Sequence, residues 1–145
     1  MKKHCLIVDD NALVRETTAC LVKHIARCPV RCCSGGEEAL RLFADDPEAY
    51  TCVVTDFNMP GIDGLELGRR LRAIAPDVKL LLATGTPGAL DGVDVRGRGF
   101  DRVLAKPFDM RLLREALGFL SRAPDESGAA GGAGHEEHAA ICAAA

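Results

Sequence analysis

Five short apolar runs recur along the chain, and stretches of helical periodicity separate most of them. Continuous apolar runs bounded by polar or turn-forming residues are typical of strands buried on both faces of a sheet. Apolar residues at steps of three and four predict amphipathic helices in the intervening stretches. The predicted strands cover residues 6–8, 30–33, 52–55, 79–83 and 102–105. The predicted helices cover residues 12–26, about 35–44, 65–74 and 110–120.

Polar residues mark where several of these helices begin. Asn11 stands before the first helix and Asp109 before the last, and either side chain can accept a hydrogen bond from the first helical turn. Ser34 and Glu37 have the spacing of a capping box at the start of the second helix. The predicted buried stripe of the first helix contains Val14, Thr17 or Thr18, Leu21 and Ile25.

The alternation of strand and helix predicts an α/β protein with one doubly wound parallel sheet, helices on both faces and right-handed crossovers. The segment between the fourth and fifth strands is the exception to this pattern. Residues 85–99 contain five glycines, and each glycine inside a helix costs about 1 kcal/mol relative to alanine. We therefore expect residues 86–98 to be mobile or irregular, and to form a surface on which partner choice depends.

Charge is divided unevenly between the body of the chain and its end. The 145 residues carry 18 basic and 21 acidic side chains, and the acidic excess lies in residues 122–145. Residues 1–121 are formally neutral, so they have no bulk attraction for a phosphate backbone, which argues against nucleic acid binding. We predict one domain over residues 1–121 and a flexible tail rich in alanine and glycine over residues 122–145.

The apolar runs and the cysteines both bear on the cellular compartment. No run approaches the ~20 residues that a membrane span needs, and the chain begins without the apolar region of a signal peptide. The cysteines number seven, and Cys5, Cys20 and Cys52 stand in apolar segments where a thiol behaves as a small hydrophobe. The cysteines between residues 28 and 33 lack the paired spacing of a zinc site. These features predict a cytoplasmic protein with reduced thiols and no membrane association.

Polar side chains stand at the ends of four predicted strands. Asp9 and Asp10 follow the first strand, Asp56 the third, Thr84 the fourth and Lys106 the fifth. Parallel strands end at one edge of a sheet, and doubly wound folds bind ligands there, so we expect these side chains to lie together. Crowded carboxylates need a cation at neutral pH, and Mg²⁺ takes carboxylate and phosphoryl oxygens as ligands. A metal ion beside a lysine would form a clamp for phosphate.

The order and spacing of these residues resemble those of the receiver domains of two-component response regulators. The matching segments are Asp9 with Asp10, the sequence DFNMPGIDG around Asp56, Thr84 with Gly85, and Lys106 with Pro107 and Phe108. The resemblance covers residues 4 to about 121. It implies a flavodoxin-like five-stranded sheet in the order 2-1-3-4-5, a stand-alone chain similar to single-domain chemotaxis regulators, and a cis peptide bond before Pro107.

The same resemblance implies a function. Asp56 would accept a phosphoryl group from a sensor histidine kinase or a histidine phosphotransfer protein in an Mg²⁺-dependent reaction. Asp10 and Asp56 would ligate the metal through their side chains and Asn58 through its backbone carbonyl, and Asp9 would act directly or through water. Lys106 would offset charge on the transferring oxygens, and Thr84 would donate its hydroxyl to the phosphoryl group and shift the protein toward a signalling state. The protein would be a phosphoacceptor switch that assists its own phosphorylation and dephosphorylation, not an enzyme, and would signal by phosphorylation-dependent protein binding.

Other functions use a similar set of residues. A phosphorelay intermediate or a phosphate sink would employ the same acceptor. Phosphatases of the haloacid-dehalogenase type also have a strand-end aspartate and Mg²⁺, but they require a second aspartate two residues later, where this chain has Asn58. A scaffold that uses the fold without phosphorylation is a third possibility, which the complete set of pocket residues argues against.

Each site residue also has a structural interpretation when taken singly. Asp9 or Asp10 could cap the first helix, the Thr84 hydroxyl could bond to backbone, and Lys106 could be a solvated charge. The sequence also departs from the family at Val103, three residues before the lysine, where many receivers carry an aromatic residue. A β-branched aliphatic has few rotamers and no ring, so we expect the aromatic half of the usual switch to be missing.

Overall fold

The computed structural model describes residues 3–118, which form one parallel sheet with helices on both faces. The strands are β1 (His4–Val8), β2 (Val30–Cys33), β3 (Tyr50–Asp56), β4 (Lys79–Thr84) and β5 (Arg102–Ala105). The helices are α1 (Ala12–Ala26), α2 (Gly36–Asp45), α3 (Gly64–Ile74) and α4 (Met110–Ala116), with short 3-10 turns at Pro47–Ala49 and Pro87–Leu90. The strand order is β2-β1-β3-β4-β5, which confirms the predicted fold class and topology.

Alternate side chains of the central strands pack into two hydrophobic layers, one on each face of the sheet. In β1, Leu6 and Val8 belong to the layer beneath α2 and α3, whereas Cys5 and Ile7 belong to the layer beneath α1 and α4. Successive strand side chains point to opposite faces, so a strand in the middle of such a sheet is apolar throughout. This explains why β1, β3 and β4 read as continuous apolar runs in the sequence.

Side-chain caps begin three of the four helices. Asn11 accepts a hydrogen bond from the Val14 amide at 3.0 Å, and Asp109 accepts one from the Arg111 amide at 2.8 Å, so both predicted caps are confirmed. Asp63 caps α3 in the same way through the Glu66 amide. Each cap satisfies an amide at the start of a helix that has no partner within the helix.

The capping box predicted for α2 is wrong. Gly35 is the N-cap and makes no side-chain hydrogen bond. Ser34 instead donates its amide and its hydroxyl to the Glu38 carboxylate, at 3.0 and 3.2 Å. The helix begins one residue later than a Ser34 cap requires, so the carboxylate that reaches back comes from Glu38 and not from Glu37.

The buried face of α1 differs from the predicted stripe. The buried residues are Thr18, Val22 and Ala26, while the predicted Leu21 and Ile25 are only half-buried. Cys20 lies off this buried face, and it is disulfide-bonded, so the prediction of a reduced thiol is wrong at this position. The partly exposed position of Cys20 on α1 leaves its sulfur accessible for pairing.

An irregular segment joins β4 to β5. After the 3-10 turn at Pro87–Leu90, successive turns lead to Phe100, and within the described residues no α-helix lies between these two strands. Gly92 and Gly99 have φ angles of 79° and 99°, in the left-handed region that glycine adopts without strain. The predicted irregular conformation of residues 86–98 is therefore confirmed, and their mobility stays a prediction.

Phe100 anchors this segment to the core. Its ring is 2% exposed and packs on Gly68 of α3, where an added Cβ would overlap the ring. Arg72, one helical turn further along α3, donates to the carbonyls of Pro76, Val78 and Gly99 and lies 3.5 Å from the Asp101 carboxylate. These contacts close the side of the sheet that lacks a helix at this connection. Among residues 3–118, no helix is both long and apolar enough to cross a membrane.

Candidate functional site

The carboxyl edge of the sheet brings the predicted polar residues together. The parallel registers pair Val8 with Thr55, Asp56 with Ala83, and Thr84 with Ala105, so these strands all end at the same level. Polar residues that directly follow the strands must therefore meet above the apolar layers, as parallel sheets of this kind require.

Three carboxylates form the centre of the site. Asp9, Asp10 and Asp56 each place a carboxylate oxygen within 4.8 Å of the other two. Asp9 and Asp56 are buried, at 4% and 9% exposure, whereas Asp10 is exposed. Like charges at this separation repel, so the arrangement calls for a cation among them.

Lys106 supplies a positive charge from the other side of the site. Its Nζ lies 2.8 Å from Asp9 Oδ2 and 2.9 Å from Asp56 Oδ1. Burial lowers the pKa of Lys106, but the hydrogen bonds and charges of Asp9 and Asp56 outweigh burial, so the net pKa is above the ordinary value for lysine. The ammonium group is therefore held in its charged form between two carboxylates, and the solvated-charge interpretation does not describe it.

Burial is the largest influence on the acidity of Asp56. It raises the pKa of this carboxyl group, and the nearby charges of Asp9 and Asp10 raise it further, while the hydrogen bond and the charge of Lys106 oppose the change. The net pKa lies above the ordinary value for aspartate. A carboxylate of raised pKa is a stronger base and a better nucleophile than a solvated one.

Several groups hold Asp9 in place. Its Oδ1 accepts the Asn11 amide at 3.0 Å, and its backbone carbonyl accepts Arg15 Nη1 at 2.8 Å. Asp9 thus contributes to the site and also bonds to the start of α1. The N-cap of α1 is Asn11, so neither Asp9 nor Asp10 caps the helix. Sequence reasoning missed Arg15. The available signal was its place in the first turn of a helix that directly follows the strand end, where a long side chain can reach back.

A close helix–strand approach supports Asp56 from below. An added Cβ on Gly64 would overlap the Asp56 carbonyl oxygen and press on Leu82 and Phe57, so only glycine fits here. The Gly64 amide donates to the Phe57 carbonyl at 2.9 Å, and the Thr55 hydroxyl donates to the Asp56 carbonyl at 3.0 Å. The backbone that carries Asp56 is consequently held by packing and by hydrogen bonds on both sides.

Thr84 and Asn58 lie at the edge of the site without bonding to the carboxylates. Thr84 is 1% exposed, and its hydroxyl oxygen accepts the Thr86 amide at 3.0 Å. The structural interpretation of this hydroxyl therefore holds, and it still has a proton to donate. Asn58 is exposed in the loop after β3. Within residues 3–118, neither side chain is hydrogen-bonded to Asp9, Asp10 or Asp56.

The last strand shows one implied feature and one departure. The Lys106–Pro107 peptide bond is cis, as the resemblance implies. Val103 is 42% exposed, and no aromatic side chain occupies its position on β5.

The donor set at this edge suits a hard divalent cation. Three carboxylates converge from β1 and β3, and oxygen ligands of this kind are those that Mg²⁺ prefers. The cysteines and histidines that softer metals select do not contribute to this cluster among the described residues. The residues present therefore fit Mg²⁺.

A doubly wound sheet with an acidic pocket and a lysine at its carboxyl edge defines a class of phosphate-handling α/β proteins. Comparison with known proteins narrows the class, because the family model of the response regulator receiver domain matches residues 5–118. The chain belongs to this family, whose members are phosphoacceptor switches rather than classical enzymes, bind Mg²⁺ at an acidic pocket and interact with histidine kinases or phosphotransfer proteins.

The chain covers different shares of its curated relatives. The chain is 35% identical over 131 residues to the response regulator MprA of Mycolicibacterium vanbaalenii, covering 89% of this chain and 55% of that protein. It thus spans about half the length of this relative. It is 33% identical over 111 residues to the response regulator receiver protein CpdR of Brucella abortus, covering 77% of this chain and 89% of CpdR.

Solved structures agree with the family assignment. A response regulator receiver protein from Pseudomonas putida is 29% identical, with a TM-score of 0.71 over 82% of this chain and 98% of that one. A receiver domain protein from Clostridium thermocellum has a TM-score of 0.74 at 24% identity, over 82% of this chain and 94% of that one. The second likeness supports the fold alone.

Proposed function

We propose that Asp56 accepts a phosphoryl group from a phosphohistidine and that the phosphorylated protein signals by binding another protein. The observation that carries this proposal is the buried Asp56 carboxylate, which is ion-paired to Lys106 and adjoins Asp9 and Asp10. A nucleophile, a fixed positive charge and a set of metal ligands thereby share one edge of the sheet. These are the parts that phosphoryl transfer needs.

Transfer begins with a free Asp56 oxygen in line with the donor. That oxygen forms a bond to phosphorus while the bond between phosphorus and the imidazole nitrogen breaks, and the bonding electrons stay with the donor histidine. Lys106 lies within hydrogen-bond distance of Asp56, so its ammonium can follow the negative charge onto the phosphoryl oxygens. The acyl phosphate is later hydrolysed by water, which restores the carboxylate.

The metal ligands in this proposal are the side chains of Asp9, Asp10 and Asp56, together with the Asn58 carbonyl. Mg²⁺ bound there would supply positive charge that offsets the phosphoryl oxygens during transfer and hydrolysis. Asp9 is oriented for this task by the Asn11 amide and by Lys106, which occupy its two oxygens separately.

Thr84 provides a route from the acceptor to the surface. Its hydroxyl can donate to a new phosphoryl oxygen, and the same oxygen already accepts the Thr86 amide. A shift of this hydroxyl would therefore pull on Thr86, the first residue of the irregular segment. Partner binding that depends on this segment would then change with phosphorylation.

The test is phosphorylation by acetyl phosphate with Mg²⁺, followed by intact-mass measurement. We expect one added phosphoryl group in the wild type, none in Asp56→Asn, and none when EDTA removes the metal. Asp77→Asn is the matched control, because Asp77 is an exposed aspartate at the opposite edge of the sheet. Labelling of wild type and Asp56→Asn alike would disprove the acceptor role. Steady phosphate release from small phosphoesters would favour a phosphatase.

The stand-alone form, the relay role and the location are separate parts of the proposal. The extensive coverage of CpdR supports a receiver that acts without an attached output domain. Incubating the phosphorylated protein with a histidine phosphotransfer protein distinguishes a relay, which passes the group on, from a switch or a sink, which loses it to water. We place the reaction in the cytoplasm, where histidine kinases present their phosphohistidine, and fractionation of cells tests this location.

A further inference from the structure

Two cysteine sulfurs meet on the face of the sheet opposite α2 and α3, away from the acidic site. Cys5 Sγ lies 3.3 Å from Cys28 Sγ, which is a direct thiol–thiol contact. The sulfurs need to approach by roughly 1.3 Å to reach the ~2.05 Å of a disulfide bond. Backbone structure maintains the contact, because the Cys5 amide donates to the Pro29 carbonyl at 2.9 Å.

The two thiols differ in their access to solvent. Cys5 is completely buried in β1, next to Cys52 of β3 in the strand register, whereas Cys28 follows α1 and is only partly buried. The hydrogen bond to Cys52 and burial raise the pKa of the Cys5 thiol well above its usual range. A reagent from solvent therefore reacts with Cys28 first, and Cys5 is the buried sulfur in contact with it.

We propose that Cys5 and Cys28 form an oxidisable dithiol, which low-molecular-weight disulfides such as glutathione disulfide convert to an intramolecular disulfide. The Cys28 thiolate attacks one sulfur of glutathione disulfide and releases the first glutathione. Cys5 then attacks Cys28 Sγ in the mixed disulfide, and its proton leaves with the second glutathione. Two electrons and two protons pass in total from the protein to glutathione disulfide, which is reduced to two thiols.

The neighbouring cysteines of β2 provide the contrast that makes the pair specific. Cys32 is exposed, so it is at least as accessible to an oxidant as Cys28. Its neighbour Cys33 is buried and points to the opposite face of the sheet, because successive strand residues alternate. Among the described residues, no sulfur is in hydrogen-bond contact with Cys32, so Cys32 would stop at the mixed disulfide with glutathione.

Oxidation would cross-link the two ends of the segment that carries Asp9, Asp10 and α1. The bond closes a loop over residues 5–28, which contains Asp9, Asp10 and all of α1. Cross-links restrict the unfolded chain, so the oxidised protein should melt at a higher temperature than the reduced one. The proposed disulfide is thus a covalent modification of the domain that forms away from Asp56 and does not require phosphorylation.

The test treats the full-length protein with glutathione disulfide, blocks remaining thiols with iodoacetamide and maps disulfides by tandem mass spectrometry. We expect a Cys5–Cys28 cross-linked peptide, distinct from any peptide that contains Cys20. The cross-link should be lost in Cys28→Ser and retained in Cys32→Ser, the matched control at an exposed position. Because the wild type itself reports the bond, the result does not depend on the folding of a variant.

Three outcomes would overturn the proposal. Glutathione that remains on Cys28 as a stable mixed disulfide would show that Cys5 does not resolve it. A Cys5–Cys52 bond would show that the cross-strand neighbour is the partner instead. Failure of Cys28 to react while Cys32 becomes glutathionylated would show that the contact is inert packing.

Discussion

Lys106 bonds to two buried carboxylates at once, and this sets the energetics of the acidic site. The ammonium group is 17% exposed and lies within 2.9 Å of both Asp9 and Asp56. Removing one partner of a buried ion pair lowers the free energy of unfolding by more than the pair itself contributes, because the remaining charge is left without a partner and without water. In the absence of metal, Lys106 thus supplies the positive charge that allows three carboxylates to lie together at the carboxyl edge of the sheet.

Replacing this lysine should destabilise the protein most strongly when no metal is present. For Lys106→Met in EDTA we expect the free energy of unfolding to fall by roughly 3–5 kcal/mol, because Asp9 and Asp56 lose their shared countercharge. Urea denaturation measures the change. Added Mg²⁺ should recover part of the loss, because it supplies positive charge to the same oxygens.

Lys23→Met is the control for this prediction, since Lys23 is an exposed lysine on α1. An exposed substitution of this kind is expected to change the free energy of unfolding by no more than about 0.5 kcal/mol. Equal losses in the two variants, or a Lys106→Met loss that Mg²⁺ does not reduce, would contradict the assigned countercharge.

The convergence of these residues could be predicted from the sequence, whereas several of their contacts could not. Strand ends meet at one edge in any parallel sheet, so Asp9, Asp56 and Lys106 had to approach each other. The bond from Arg15 to the Asp9 carbonyl depends on a side-chain rotamer. The meeting of Cys5 with Cys28 depends on the path of the chain around Pro29, and apolar patterning does not encode that path.

At the scale of elements, Gly68 and Phe100 replace the packing that a helix between β4 and β5 would supply. Gly68 lies in the interior of α3, where glycine is normally unfavourable relative to alanine. The Phe100 ring occupies the space that a Cβ on Gly68 would take. The usual helix preference and the packing requirement therefore oppose each other at this position.

We expect packing to outweigh helix propensity at Gly68. Gly68→Ala should lower the free energy of unfolding by roughly 1–3 kcal/mol, the usual cost of inserting a methyl group into a filled core. In the Phe100→Leu background the same change should cost less, because the ring is gone. Chemical denaturation of the four proteins of this double-mutant cycle gives the coupling directly. A stabilising Gly68→Ala, or additivity of the two changes, would disprove the contact.

The elements differ in how well their sequence patterns predict them. The strands were located to within a few residues because buried strands are continuous apolar runs. The buried face of α1 was misassigned because apolar or small residues surround much of the helix, so periodicity alone does not define one stripe. At α2, the start depends on the backbone of Gly35 and Gly36, and the pattern of side chains carries no information about it.

For the molecule as a whole, stability should be concentrated in the middle of the sheet. β1, β3 and β4 have neighbours on both sides and buried residues on both faces. The connection between β4 and β5 is held mainly by local turn hydrogen bonds, with one bond from Arg72 of α3 to the Gly99 carbonyl, and it is largely exposed. Regions with few buried contacts and exposed backbone hydrogen bonds open at low free energy.

Native-state amide hydrogen exchange should reveal this difference. We expect amides of β1, β3 and β4 to exchange only through global unfolding, and those of residues 86–99 to exchange orders of magnitude faster through local opening. Phosphorylation should change exchange in the irregular segment more than in the central strands. Uniformly strong protection across residues 89–95 would contradict the predicted mobility of this segment.

The anchoring of Phe100 has a consequence for how this protein can diverge. Between β4 and Phe100, Leu90 and Val95 are the side chains of the connection that join the hydrophobic core. The remaining positions of this stretch are largely exposed. Substitutions there leave the carboxylates, Lys106 and the sheet beneath them untouched. Under the proposed function, new partner specificities can therefore evolve, or be engineered, on this surface while Asp56 keeps its proposed phosphoacceptor role.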